Sequence, residues 1–167
     1  MIASVQPIGT GVAGVSHIVA TANAIKDHYG RLPCIRAAAI DILRAARVGN
    51  DDQSAQVAAL ARFVRGAVCY VCDPINAEFI QTPDLLLLDI YRHGSTFGDC
   101  DDHCVLFASL CEAVGIPCAI VGVRGAGAAF PDHVIAIAQL DAGPLEFDLV
   151  AKGIDQPSYT EKLFPAT

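Results

Sequence analysis

Positive charge and long apolar runs are both scarce in this sequence. The chain has 11 Lys and Arg residues against 18 Asp and Glu residues, which gives a net charge of −7. So few basic residues cannot form a basic surface that binds phosphate groups, and we do not expect nucleic acid as a partner. The longer apolar stretches, such as Ala67–Cys72 and Val134–Ala138, fall far short of the ~18 residues that a membrane-spanning helix needs. No membrane association is expected.

Charged residues make up only 17% of the 167 residues, whereas hydrophobic residues make up 53%. This composition excludes a disordered chain and predicts one domain over residues 1–167. The N-terminus lacks the basic region of a secretory signal, and glycines interrupt any apolar segment there. We therefore expect a cytoplasmic protein whose seven cysteines are reduced, most of them small buried hydrophobes and one of them reactive.

Helical periodicity dominates the first two thirds of the chain. Residues 1–15 are rich in glycine and are expected to be loose, and residues 70–80 are expected to be irregular. Thr82, as N-cap, and Pro83 open one helix, and the segment that begins at Asp99 or Cys100 is apolar nearly all round, which predicts a buried helix. The predicted helices cover residues 33–49, 53–68, 83–91 and 100–114.

Strand patterns dominate the last third. Three β-rich runs at 118–123, 133–140 and 145–150 are separated by Gly- and Asp-containing turns. Helices followed by strands predict an α+β fold in which N-terminal helices, including the buried cysteine-bearing helix, pack on a C-terminal antiparallel sheet. Within the single domain we expect a helical segment over 1–50, a catalytic core over 51–155 and a tail over 156–167.

The densest polar cluster is Gly98-Asp99-Cys100-Asp101-Asp102-His103, at the start of the buried helix. A cysteine in the first turn of a helix meets N–H groups and a dipole that favour the thiolate. The three aspartates oppose thiolate formation, and they also fit a simple capping function. Gly98 lets a substrate approach the backbone closely.

A nucleophilic cysteine needs a base and a third group that orients this base. A two-residue hairpin loop at Asp141-Ala142 would place His133 opposite Val150. Asp148 would then be a diagonal neighbour of His133 on the same face, within reach of its imidazole. Asp132 would point to the opposite face. Geometry therefore nominates Cys100, His133 and Asp148.

Several of these segments together resemble a known family. The run Gly98–Asp102 with Gly115-Ile116-Pro117, then Asp132-His133-Val134 and Phe147-Asp148, resembles the transglutaminase-like branch of the papain-like cysteine peptidase superfamily, and in particular its small phage and prophage members. The resemblance implies a catalytic triad of Cys100, His133 and Asp148, a peptide or protein amide as substrate, a thioester intermediate, and no metal or cofactor. For a phage-encoded protein it also implies association with the virion.

The same resemblance does not decide which residues form the oxyanion site and the substrate cleft. The backbone N–H of Cys100 is one expected oxyanion donor. Gln81, Gly98 and Asp99 are the further candidates for the oxyanion site and the cleft, although Gln81 fits a structural function beside Thr82 equally well. Unlike many family members, the chain has no tryptophan, and Leu149 rather than proline follows Asp148.

Two other functions compete with a cysteine-dependent amide hydrolase or acyl transferase. One is a catalytically silent binding or virion-assembly module with the same fold. The other is a metal-dependent hydrolase in which Asp99, Asp101 and Asp102, with His93 and His103, bind a divalent cation. The Cys69-Tyr70-Val71-Cys72 motif lacks a second pair at zinc spacing and is interpreted as core packing. The sequence predicts neither the acyl acceptor nor the oligomeric state.

Overall fold

The structure is a computed structural model, and it describes residues 2–6, 12–74, 78–125, 127–150 and 159–165. The helices of this part of the chain are α1 (Val12–Tyr29), α2 (Pro33–Ala45), α3 (Gln53–Ala67), α4 (Pro83–His93) and α5 (Cys100–Ala113). Its strands are β1 (Ile2–Gln6), β2 (Val68–Tyr70), β3 (Glu78–Gln81), β4 (Thr96–Gly98), β5 (Cys118–Arg124), β6 (His133–Leu140), β7 (Gly143–Phe147) and β8 (Glu161–Leu163).

Helices α2 to α5 lie where the sequence predicts them. The Asp52 carboxylate caps α3 by accepting a hydrogen bond from the N–H of Ala55 at 2.8 Å. Thr82 and Pro83 begin α4 as expected, but the Thr82 side chain makes no capping hydrogen bond. Gly115 follows α5 with φ of +86°, the left-handed conformation that ends many helices and that glycine adopts without strain.

The main sheet is antiparallel with the strand order β7-β6-β5-β8. Leu140 pairs with Gly143 and Ala136 with Phe147, so the predicted two-residue hairpin loop and its register are confirmed. Two small sheets were not predicted: β1 pairs antiparallel with β3, and β2 pairs parallel with β4. The predicted α+β class with helices on an antiparallel sheet is confirmed.

Helix α5 lies at the centre of the domain. It packs against α1, α2 and α3 as well as against β5 and β6, and Leu106, Phe107 and Leu110 are fully buried. Full burial of one such side chain stabilises a fold by about 1.5–3 kcal/mol. The first residue of this rigid central helix is Cys100, so the packing of the core determines where its thiol lies.

Helix α1 was not predicted, and residues 2–6 and 12–15 are not loose in the structure. Its buried face carries Asn23 and Lys26, which break the apolar pattern by which helices are recognised. Both side chains bind the edge of β5: Asn23 exchanges two hydrogen bonds with the backbone of Ile120, and the Lys26 ammonium donates to the carbonyl of Cys118 at 2.7 Å. No helix among the described residues is both long and apolar enough to cross a bilayer.

Candidate active site

The nucleophile side of the site is the N-terminal turn of α5. Asp99 is the N-cap, and its carboxylate accepts a hydrogen bond from the N–H of Asp101 at 3.2 Å. Cys100 is the first residue of the helix and is partly exposed. The helix dipole and the N–H groups of this turn therefore lie beside the thiol, as the sequence predicts.

Asp102 connects this turn to the segment before α4. Its two carboxylate oxygens accept hydrogen bonds from the backbone N–H of Gln81 at 2.7 Å and from the Gln81 side-chain amide at 2.8 Å. A Cβ on Gly98 would lie 2.6 Å from the Asp102 carboxylate, so glycine is required here by close packing. Burial raises the pKa of Asp102 to about 7, although the hydrogen bonds from Gln81 act in the opposite direction.

Gln81 has a structural function in this arrangement. Its side-chain amide also donates to the carbonyl oxygen of Phe97 at 2.8 Å, so both amide hydrogens are used. Gln81 and Gly98 line a cavity of about 340 Å³ beside the cysteine turn, whereas Asp99 lines the cavity that contains Cys100. The geometry does not support Gln81 as an oxyanion donor.

The base side of the site lies at the start of β6 and just after β7. His133 is the first residue of β6, and Asp148 follows the last residue of β7. The Nε2 atom of His133 lies 3.2 Å from Oδ1 of Asp148. The diagonal contact expected from the hairpin register is therefore present.

Among the described residues, His133, Val150, Tyr159 and Arg65 bind Asp148. Its Oδ1 atom accepts from His133 and from the N–H of Val150 at 3.1 Å, its Oδ2 atom accepts from the hydroxyl of Tyr159, and its carbonyl oxygen accepts from the guanidinium of Arg65 on α3. Burial acts to raise the pKa of Asp148, but the hydrogen bonds from His133 and Tyr159 and the charge of His133 outweigh it. The pKa of Asp148 consequently lies well below its ordinary value.

One cavity of about 180 Å³ brings the two sides together. Cys100 and His133 both line it. Its other lining residues come from α1, β2, the first turn of α5 and the start of β6: Val15, Ile18, Tyr70, Asp99, Asp101, Asp132 and Val134. Asp132 lines the cavity together with His133, and because β6 begins only at His133, strand alternation does not extend to residue 132.

The carboxylates of the acidic cluster lie close together, and those of Asp99 and Asp102 accept hydrogen bonds from protein donors. The carboxylates of Asp99, Asp101 and Asp102 lie within 4.8 Å of one another and are buried. The Asp99 carboxylate caps α5, and both oxygens of Asp102 accept from Gln81. The His103 ring nitrogens contact the backbone oxygens of Asp99 and Val68, and His93 is exposed at the end of α4. This arrangement favours helix capping over cation binding.

The cysteines divide into three groups. Cys104, Cys111 and Cys118 are buried, as expected for apolar filler, and Cys100 is intermediate. Cys34, Cys69 and Cys72 are exposed. The interpretation of Cys69 and Cys72 as core residues is therefore wrong, because β2 and the segment after it lie at the surface.

Sequence reasoning gave no function at the site to three residues that the structure brings there, although Arg65 and Tyr70 lie in upstream segments that share the family resemblance. Tyr159 and Arg65 both bind Asp148, and Tyr70 lines the cavity of Cys100. Tyr159 falls in the segment that we expected to be a tail, and Arg65 lies in the last turn of α3. No spacing or motif links either of them to Asp148, so only the fold reveals these contacts.

The sequence model of the transglutaminase-like superfamily matches residues 41–143. This match covers more than half of the chain, including Cys100 and His133, and it ends before Asp148. The chain belongs to the transglutaminase-like superfamily. No match was found among curated protein sequences.

Two solved structures share the fold of this chain. One is described as a "putative protease" from Parabacteroides distasonis, with a TM-score of 0.55, 13% identity, and 78% of this chain aligned to 26% of that chain. Another is the periplasmic domain of TgpA from Pseudomonas aeruginosa, with a TM-score of 0.50, 20% identity, and 76% of this chain aligned to 47% of that domain. This chain thus spans about a quarter of the first structure and less than half of the second.

Proposed function

We propose that the protein is a cysteine-dependent amide hydrolase or acyl transferase that acts through Cys100, His133 and Asp148. The observation that carries the proposal is that His133 pairs with the buried carboxylate of Asp148 and also lines one cavity with Cys100. A thiol, an imidazole and a carboxylate in this order are the components of nucleophilic catalysis on acyl groups.

The contacts suggest a function for each ring nitrogen of His133. Because Nε2 lies against Asp148, Nδ1 is the atom that takes the proton of Cys100. The thiolate attacks the carbonyl carbon of the amide, and His133 then protonates the leaving amine. A thioester remains on Cys100, and water or a second amine releases the acyl group. Asp148 orients the imidazole and stabilises its charged form.

The backbone N–H of Cys100 lies at the N-terminus of α5, where the helix dipole favours negative charge, and it is one donor for the oxyanion. Tyr70 lines the same cavity. Partial burial, the hydrogen bond with Cys72 and nearby negative charge raise the pKa of the Tyr70 phenol well above its ordinary value, and its hydroxyl is protonated at neutral pH. Tyr70 is therefore a better candidate than Gln81 for the second donor.

The surface around the cavity fits a polypeptide substrate. Tyr70, Val71 and Phe97 expose 53%, 51% and 61% of their surface, and they lie on or beside the paired strands β2 and β4 that lead to Cys100. Exposed apolar side chains grouped in this way are typical of binding surfaces. We propose that they contact the chain on either side of the reacting amide. Cytoplasmic localisation, and association with a virion if the chain is phage-encoded, also remain proposals.

The test is alkylation by iodoacetamide across pH, with peptide mapping of the modified cysteines. Fast labelling of Cys100 near neutral pH, abolished in Cys100→Ala and slowed in His133→Ala, is the expected result. The exposed Cys34, Cys69 and Cys72 provide internal reference rates in the same sample. If Cys100 labels no faster than these three, the protein is a silent module and the proposal is wrong.

A parallel sample with a chelator tests the metal-dependent alternative. The cysteine mechanism predicts the same Cys100 labelling rate and the same amidase activity with and without chelator. Loss of amidase activity on chelation, with recovery on addition of a divalent cation, would instead assign the chemistry to Asp99, Asp101 and Asp102.

A further inference from the structure

The carboxylate of Asp148 divides its two oxygens between different partners. Oδ1 faces His133 Nε2 and also accepts from the N–H of Val150, whereas Oδ2 accepts from the hydroxyl of Tyr159. The Tyr159 ring also lies near the imidazole, with the ring centres 6.2 Å apart. One tyrosine thus touches both the carboxylate and the ring that this carboxylate orients.

Tyr159 is held in place by the C-terminal strand. The next residue, Thr160, donates its N–H to the carbonyl oxygen of Arg124, and β8 continues as an antiparallel partner of β5. Ion pairs also join β8 to the other strands. Arg124 of β5 pairs with Glu161 at 3.0 Å, and Lys162 pairs with Glu146 of β7. The position of the Tyr159 hydroxyl is therefore set by sheet pairing.

We propose that Tyr159 is a positioning residue of the active site, and that the C-terminal strand β8 belongs to the active site because it places this tyrosine. The inference rests on the proposed function of Cys100, His133 and Asp148. Asp148 directly follows the last residue of β7, and its carboxylate is oriented by side-chain and main-chain donors such as Tyr159 and Val150. The Tyr159 hydroxyl on Oδ2 fixes the rotation of the carboxylate and keeps Oδ1 on His133.

The surroundings keep Tyr159 in its donor form. Burial, the hydrogen bond to Asp148 and the negative charge of Asp148 raise the pKa of the phenol well above its ordinary value, and Cys104 and Glu146 act in the same direction. Among the described residues, His133 is a further titratable group beside the tyrosine. The hydroxyl therefore donates to Asp148 over the whole pH range in which a cysteine enzyme works.

The experiment compares the pH profile of Cys100 alkylation in the wild type, Tyr159→Phe and His133→Ala. Phenylalanine keeps the ring beside His133 and removes only the hydroxyl. A carboxylate that has lost the hydrogen bond from Tyr159 stabilises the imidazolium less, so Tyr159→Phe should slow Cys100 alkylation at neutral pH about tenfold, since a hydrogen bond to a charged group has this magnitude. In the His133→Ala background the same change should have no further effect.

Two control variants separate this hydroxyl from general effects. Arg44→Ala removes an exposed ion pair with Asp41 on α2, away from β8 and Asp148, and Tyr91→Phe removes a hydroxyl from a residue that is 89% exposed on α4. Both should label at the wild-type rate. Thermal unfolding of all variants verifies that the comparison is made on folded protein.

The outcomes distinguish a failure of the inference about Tyr159 from a failure of the proposed function. If His133→Ala slows labelling but Tyr159→Phe does not, the inference about Tyr159 is wrong and the proposed function stands. If His133→Ala also labels at the wild-type rate, the proposed function itself is wrong. If Tyr159→Phe slows Cys100 alkylation by the same factor in the wild type and in His133→Ala, the hydroxyl does not act through the imidazole. That result overturns the inference.

If Tyr159→Phe does not fold, NMR of the wild type tests the hydrogen bond between Tyr159 and Asp148 instead. The Cζ resonance of Tyr159 should remain that of the protonated phenol at about pH 11, above the ordinary pKa of tyrosine, and Asp148→Asn should let it ionise at lower pH. Ionisation of Tyr159 near the ordinary value in the wild type would contradict the hydrogen bond on which the inference depends.

Discussion

The nucleophile side and the base side of the cleft are stabilised in different ways. Cys100 is carried by α5, whose apolar side chains fill the centre of the domain. His133 and Asp148 lie at the ends of two strands, and side-chain hydrogen bonds connect them to each other and to Tyr159. Core packing therefore fixes the nucleophile, whereas hydrogen bonds fix the base. We expect core changes in α5 to alter stability and polar changes on the base side to alter turnover.

The largest effect should come from the base side. His133→Ala removes the base and should reduce turnover about 10²–10⁴-fold. Asp148→Asn removes the charge that stabilises the imidazolium and should cause a smaller loss. Because Asp148 acts through His133, the double variant should be little worse than His133→Ala alone in steady-state kinetics.

Additive losses would contradict this assignment. They would mean that Asp148 contributes to turnover independently of the imidazole. Thermal unfolding of the three variants is the accompanying control, because Asp148 also accepts hydrogen bonds from Val150 and Tyr159 and a loss of fold would imitate a loss of catalysis.

The next effect concerns the stability of the nucleophile side. Burial raises the pKa of Asp102 from 3.8 to about 7, so the folded protein holds this proton at pH values where the unfolded chain has released it. A raised pKa stabilises the fold fully below about pH 4, and this stabilisation is lost as the pH rises through about 7. The contribution that is lost is on the order of a few kcal/mol.

Asp102→Asn should remove this pH dependence. Its free energy of unfolding, measured in urea at pH 5 and pH 8, should change less between the two pH values than that of the wild type. Asp51→Asn, at an exposed position, is the matched control. An equal change in Asp102→Asn and in the wild type would mean that the Asp102 carboxylate is already ionised in the folded state at both pH values.

A smaller effect tests the core of α5 itself. Cys104 is 1% exposed and its thiol contacts the carbonyl oxygen of Val134 at 3.6 Å. Burial raises its pKa well above the ordinary value, so Cys104 remains a thiol and does not compete with Cys100. Cys104→Ser and Cys111→Ser should each cost about 1–3 kcal/mol of stability and leave the turnover of the folded protein unchanged.

The exposed Cys34→Ser is the control for both serine variants. Unfolding in urea and turnover per folded molecule are the two measurements. A loss of turnover at Cys104 or Cys111 without a loss of stability would show that these thiols take part in the chemistry, and the contrast between the two sides of the cleft would no longer hold.

Local patterns predicted the parts of the molecule that local interactions determine. Apolar periodicity found α2 to α5, and the Asp141-Ala142 turn gave the correct register of the β6–β7 hairpin, from which the contact between His133 and Asp148 follows. Helix α1 was missed because Asn23 and Lys26 face inward and bond to the edge of β5. That interaction links residues 97 positions apart, and no local rule describes it.

The site shows the same division. Cys100, Asp99 and Gly98 are adjacent in sequence, so their arrangement at the start of α5 was predictable. Tyr159 reaches Asp148 only because β8 pairs with β5, and Arg65 reaches it only because α3 packs beside the hairpin. These contacts arise from tertiary packing and leave no signal in residue spacing.

The smallest effect is expected at Glu146, which tests whether proximity to the base is sufficient. Glu146 lies two residues before Asp148 on β7, opposite Ile137, and its carboxylate accepts from Lys162 on β8. The Glu146 and Lys162 side chains are 36% and 32% exposed, and an ion pair of this kind contributes at most about 1 kcal/mol. Glu146→Gln should therefore keep turnover near the wild-type level and lower the free energy of unfolding only slightly. A large loss of turnover from Glu146→Gln beside an unaffected Asp148→Asn would mean that Glu146, and not Asp148, orients His133 in the working enzyme.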